Sequence, residues 1–290
     1  MVTIFSACDK SEQKPYQPSY GVTSVRITTR YVIGVHPLHN PKRLHEVFSP
    51  VADILTNKID GSAFEIEASR NYNAFDKKLY SGKFEFALPN PYQTILSLNH
   101  NYRVFGKMGD DENFRGIILV RKDSNIKEIS DLKGKVVCFP APTALAATMM
   151  PQYYLFEHGI DVNRDIKTIY VGSQESSIMN VFLGNADACA TWPPPWQALS
   201  KERPQLFEEL VVKWKTEPLL NNGLVVRGDV APDLVNQVSN ILFELHNSKE
   251  GRIILERMKL TRFEPASNDT YEPVKKFLEE FNSKVRHIIR

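Results

Sequence analysis

Apolar and polar positions along this chain break into a repeating order of strand, loop and helix. Val25 to Val35 is β-branched enough for a strand with a break in it, and it ends at His36-Pro37. Asn40-Pro41 then opens a helix, because asparagine caps well and proline suits the first turn. Leu44, Val47, Phe48, Val51, Ile54 and Leu55 follow at helical spacing, and Pro50 predicts a kink or an early break. Phe64 to Ser69 alternates as a strand does, residues 70–73 form a loop, and a helix over 74–80 stops at Gly82. Phe84 to Leu88 is a third strand, after which Asn90-Pro91 repeats the cap-and-proline start of a helix reaching Leu98. Three such units in succession predict a mostly parallel sheet with right-handed crossovers.

The pattern changes at residues 106–113, where turn-forming and charged residues predict a first crossing into another unit. Phe114 to Val120 is a strand leaving it, and Gly134 to Phe139 is the next. The latter breaks at Pro140 and Pro142, and an Ala- and Met-rich helix follows, with Thr143 placed to cap it and Pro151 to bend it before Gly159. Thr168 to Gly172 is a strand, Ser173 caps a helix with Glu175 in its first turn, and Ala186 to Thr191 is a strand again. After Trp192-Pro-Pro-Pro-Trp196 the chain is helical to about Arg203, and Leu210 to Trp214 is a short strand. Asn221 to Arg227 reads as a strand returning to the first unit. The remainder is helical, with stripes through Val235, Val238, Ile241, Leu242 and Leu245 and through Val274, Phe277, Leu278 and Phe281. Without strands of their own, these helices are expected to pack on the first unit. The organisation is therefore α/β: a truncated signal remnant and flexible tether over 1–21, a first lobe from 22–113 with 222–290, and a second from 114–221.

Composition narrows the function. The 290 residues suffice for two cores, and 36 Lys and Arg against 34 Asp and Glu leave a net charge of +2, with no footprint for nucleic acid. Three cysteines are too few for a disulfide scaffold. Cys138 and Cys189 fall on strands expected to be neighbours, where a disulfide is conceivable; parallel neighbours seldom have the geometry, and two buried free thiols are expected. Ile4-Phe-Ser-Ala-Cys8 resembles the end of a lipoprotein signal, with Cys8 as the lipidation site, although an ordinary cysteine in a frayed terminus fits equally. Residues 9–20 are polar enough for a tether. His36, His39 and His45 lack the carboxylate or cysteine that would complete a metal set, so neither metal nor cofactor is expected.

Candidate chemistry gathers where strands end and helices begin. Backbone N–H groups at such junctions bind anions, and the segment Thr143-Ala144-Leu-Ala146 offers them with one hydroxyl. Ser173, Gln174 and Thr191 stand at the corresponding loops of the second unit, His36 and Asn90 at those of the first. Arg70, beside Tyr72, suits bidentate recognition of an anion, against the plainer reading of a solvated surface arginine. Tyr72, Tyr92, Phe114, Trp192 and Trp196 offer flat apolar walls for an organic ligand, or core packing.

Gly34-Val-His-Pro37, Phe84-Glu-Phe-Ala-Leu-Pro-Asn-Pro-Tyr92, Gly116-Ile-Ile-Leu-Val-Arg-Lys-Asp123, Asp131-Leu-Lys-Gly-Lys135 and Tyr170-Val-Gly-Ser173 resemble, in order, the phosphate/phosphonate-type solute-binding proteins of ABC importers. The resemblance covers residues 30 to 265. It implies the two-lobed, type II periplasmic binding fold with two hinge crossings, a small ligand closed between the lobes, a permease partner and a monomer in the periplasm or cell envelope. It also implies a ligand set. Tyr72 and Phe114 keep the family's aromatic positions, whereas its Ser-Thr-Ser run falls on Ala144-Leu145-Ala146, its histidine on Gln174 and a carboxylate near Pro194. Transport is the expected role. A tethered sensor keeps the binding with another output, and an enzyme on the same fold finds no nucleophile elbow, phosphate loop or acid–base pair.

Overall fold

The computed structural model describes residues 28–288, so the readings for Cys8 and the tether lie outside the described residues. The chain opens with β1 (Thr29–Val35), α1 (Pro41–Lys58), β2 (Ser62–Glu67), α2 (Tyr72–Tyr80), β3 (Phe86–Leu88), α3 (Pro91–Ser97) and β4 (Tyr102–Met108). It crosses to β5 (Ile117–Arg121) and β6 (Val136–Phe139). A π-helical turn (Leu145–Met149) runs into α4 (Met150–Glu157), followed by β7 (Lys167–Tyr170), α5 (Gln174–Phe182) and β8 (Ala188–Thr191). Then come α6 (Pro193–Glu202), α7 (Pro204–Glu209) and β9 (Leu210–Lys215), and the chain crosses back to β10 (Gly223–Arg227), α8 (Pro232–Phe243), α9 (Lys249–Met258), β11 (Phe263–Pro265) and α10 (Glu272–Lys284).

These strands make two sheets, ordered β11-β4-β10-β3-β1-β2 and β7-β6-β8-β5-β9. Both are mixed. β1 runs parallel to β2 and β3, and β6 to β7 and β8, as crossover helices require. β10 is antiparallel to β3 and β4, and β5 to β8 and β9, because the strands adjoining each crossing enter from the opposite end. The return strand thus lies in the middle of the first sheet and ties it to the second.

Several local expectations are corrected. α1 contains Pro50 without breaking: its buried face of Leu44, Val47, Phe48, Val51 and Leu55 gains about 1.5–3 kcal/mol per side chain, more in sum than the ~3 kcal/mol that an internal proline costs. Residues 102–108 are a strand and not only turn chemistry, and the C-terminal region does own a strand, β11, which pairs with β4. Cys138 and Cys189 are joined in a disulfide. They stand opposite each other on β6 and β8 with Cα atoms 4.4 Å apart, inside the reach of the bond. The expected free thiols failed because register, which decides the separation, was not legible.

One apolar core runs from the first sheet through to the inner face of the second, and includes Val35, Phe75, Leu88, Phe114, Phe139 and Leu145. Another lies behind the second sheet, around the disulfide, Ile178, Val181 and Trp196, which makes Trp196 a packing residue. The inter-sheet core places the loop ends of both sheets face to face.

Candidate functional site

At that junction His36, Tyr72 and Asn90 from the first half meet Phe114, Gln174 and Trp192 from the second around one small cavity. Ala144 to Ala147 and Asn222 complete its lining. About 10 Å³ is open to the centre of a water molecule, room for about one water, so the two halves are closed on each other.

Each side chain is set by its element. His36 follows β1 directly, and its Nδ1 donates to the Leu88 carbonyl at 2.9 Å, leaving Nε2 as a lone-pair acceptor. Burial holds its pKa down at about 4, so the imidazole is neutral. Tyr72 opens α2, which Asn71 caps, and its hydroxyl accepts from Gln174 Nε2 across the two halves at 3.3 Å. Burial raises the Tyr72 pKa, so the hydroxyl keeps its proton. Gln174 opens α5 behind the Ser173 cap, and its Oε1 accepts from Thr191 Oγ1 at 2.8 Å. Asn90 caps α3 in a reciprocal box with Gln93, and its Nδ2 donates to the Thr143 carbonyl at 3.0 Å. Phe114 and Trp192 meet edge to face, centroids 5.5 Å apart, as an apolar wall.

The helix entering the cavity differs from the expected one. Thr143 sits in the turn before it, Ala144 takes the cap position, and no side chain caps it. Thr148 N–H makes the first bond inward, to the Ala144 carbonyl at 2.9 Å, with Met149 N–H on the same oxygen at 3.2 Å. The N–H groups of Leu145, Ala146 and Ala147 precede that bond, on residues that line the cavity. Pro151 has no N–H to continue an ordinary α-turn, which accounts for the widened start. The next helix end in the lining is different again: Trp192 caps α6, and Pro193-Pro-Pro195 supply no N–H at all.

Nine of the residues named from sequence line the cavity: His36, Tyr72, Asn90, Phe114, Ala144, Leu145, Ala146, Gln174 and Trp192. Thr191 stands one hydrogen bond behind, Ser173 serves as a cap, and Thr143 contributes its carbonyl to Asn90. Tyr92 is buried on α3 outside the lining, and Arg70 is exposed on an open groove with Asn71, Lys77 and Lys78. No lysine, arginine, aspartate or glutamate lines the cavity. Asn222 is new: its Oδ1 is buried without a partner while Nδ2 contacts the Met108 sulfur at 3.3 Å. Its signal in the sequence was the pair Asn221-Asn222 at the return crossing. Among the described residues, no group of three or more His, Cys, Asp or Glu is placed to hold a metal ion.

With the halves parted enough to admit more than one water, the same groups offer a small polar molecule neutral hydrogen bonds: donors from the helix start and Tyr72, acceptors from His36 and Asn222, and aromatic walls for an apolar part. Comparison with known proteins adds context. The family model for periplasmic substrate-binding proteins of ABC phosphonate transporters matches residues 33–271. A probable ABC transporter phosphite binding protein from Prochlorococcus marinus is 24% identical over 65% of this chain and 66% of its own length. A phosphate-import protein from Mycolicibacterium smegmatis is 21% identical over 85% of this chain and 79% of its own. The solved binding component of an ABC phosphonate transporter from Pseudomonas aeruginosa has a TM-score of 0.80 at 16% identity, covering 88% of this chain and 87% of that one. The Prochlorococcus marinus protein in complex with methylphosphonate has a TM-score of 0.79 at 19% identity, covering 87% and 98%. At these identities the solved structures speak for the fold.

Proposed function

Because the chain belongs to the phosphonate family of periplasmic substrate-binding proteins of ABC transporters, we propose that it captures one small oxyanion-bearing molecule between its halves for a membrane permease. The observation that carries this reading is the cavity between the two sheets, lined from both and entered by an uncapped helix start. An oxyanion there takes backbone N–H groups and the Tyr72 hydroxyl in place of a hydroxyl cluster. A short apolar substituent would lie on Phe114 and Trp192. The division into 22–113 with 222–290 and 114–221, a monomeric state, the absence of turnover and a lipid on Cys8 belong to the same reading, the last because a tethered binder stays near its permease.

Calorimetric titration of the full chain with methylphosphonate, phosphite and phosphate tests it. One-to-one binding is expected, with ligand at 100 times its Kd stabilising the fold by about 2.7 kcal/mol. If all three ligands leave both heat and melting temperature unmoved, the oxyanion reading falls.

A further inference from the structure

Arg286 lies just past α10, yet its guanidinium ends on the second half of the molecule. Nη2 donates to the Pro142 carbonyl at 2.6 Å and Nε to Gln152 Oε1 at 2.8 Å. Phe281, on the last turns of α10, backs the guanidinium at 5.1 Å. Gln152 is fully buried, with its Nε2 on the Tyr170 hydroxyl at 3.3 Å, so Arg286 completes a polar network that runs from a buried amide out to the surface. Neighbouring bonds make this a seam: Asn163 Nδ2 donates to the Val285 carbonyl at 2.8 Å, and the Tyr153 hydroxyl to Glu280 at 2.8 Å. Arg286 alone among these reaches the loop that leads into the cavity. Pro142 stands two residues before Ala144, at a helix start with no side-chain cap to fix it.

The surroundings of Arg286 are also unusual in charge. Among the described residues its hydrogen-bond partners are an amide oxygen and backbone carbonyls, and burial lowers its pKa, with Tyr170 and Tyr92 acting the other way. A half-buried cation with no ion pair among the described residues raises the positive potential on this side of the loop. Its planar fork also suits holding two oxygens at once.

We infer that Arg286 is a positioning residue that straps loop 140–143 onto the first half and so aims the Leu145, Ala146 and Ala147 N–H groups at the ligand. This rests on the cavity being the ligand site. Hydrogen exchange on the full chain, for wild type, Arg286→Lys and Arg286→Gln, tests the strap without ligand, and titration with methylphosphonate tests its consequence. In Arg286→Gln, exchange rises locally over 140–150 while β1 to β3 keep their protection, and affinity falls roughly tenfold. Arg286→Lys keeps the charge but cannot span both oxygens, and falls between. Unchanged exchange over 140–150, or a rise spread evenly over the chain, overturns the strap. Wild-type affinity in Arg286→Gln overturns its role in binding. A wild-type chain that binds none of the three oxyanions removes the ligand reading instead, and local exchange then decides the strap by itself.

Discussion

His36 and His39 show how burial sets the chemistry of single residues. Both are buried; His36 is held down at about 4 by desolvation, and His39 at about 3 by desolvation and the charges of Arg43 and His36. In the unfolded chain each takes up a proton near pH 6.5. Between these values the unfolded chain binds more protons, so stability is full above about pH 6.5 and is lost as pH falls towards 4. Asp76, raised to about 6 by burial, opposes this between its ordinary value and pH 6, losing stability as pH rises, but it is one group against two. Melting temperature is therefore expected to fall from pH 7 to pH 5, and His39→Gln to flatten that slope; an unaltered slope would show that His39 takes up its proton as readily in the fold as in the unfolded chain. At this scale the sequence disclosed residue types and loop positions, such as Tyr72 and Gln174, but not which side chains turn inward. Arg70 is adjacent to Tyr72 in sequence by two places and still faces solvent, whereas Arg286, 214 places beyond Tyr72, reaches the loop beside the cavity.

Elements meet at the cavity through a close approach that only glycine permits. A Cβ on Gly116 would lie 2.5 Å from Pro151 Cγ and 2.6 Å from the Ala146 carbonyl oxygen, so the start of β5 rests directly on the widened helix turn. Gly116→Ala is expected to push that turn, costing about 1–3 kcal/mol of stability and weakening ligand binding. Denaturant unfolding and titration of the variant check this, and unchanged values in both would show that the helix start is not seated by this contact. Helix starts at Asn40, Asn90 and Ser173 were legible because capping is local chemistry. The cap of the cavity helix was misassigned to Thr143 because tertiary contacts, Asn90 on its carbonyl and Arg286 on that of Pro142, hold the turn in its place.

Across the whole molecule, further polar contacts bridge the two halves. Asn40 Nδ2 donates to Glu175 at 2.7 Å, and Arg43 pairs with Glu202, Nη1 to Oε2 at 3.2 Å. The Glu202 side chain is 52% exposed, so the pair is worth about 0–1 kcal/mol and is screened by salt. Glu202→Gln should therefore weaken ligand binding by no more than roughly fivefold at low ionic strength, and the difference should vanish in high salt. Titrations at two salt concentrations decide this; a large, salt-independent loss would mean that Glu202 does more than bridge the halves.

The order of elements, the α/β class, the two crossings and the positions of most cavity residues are local properties, written in apolar spacing, capping residues and proline placement. Those signals act within a few residues of one another, so the chain states them without folding. Sheet direction around the crossings, the Cys138–Cys189 bond, the acceptor at Asn222 and the reach of Arg286 depend on which distant segments lie side by side. Packing alone decides that, since the two sheets close on a shared core and bring residues from eight junctions between elements to one place.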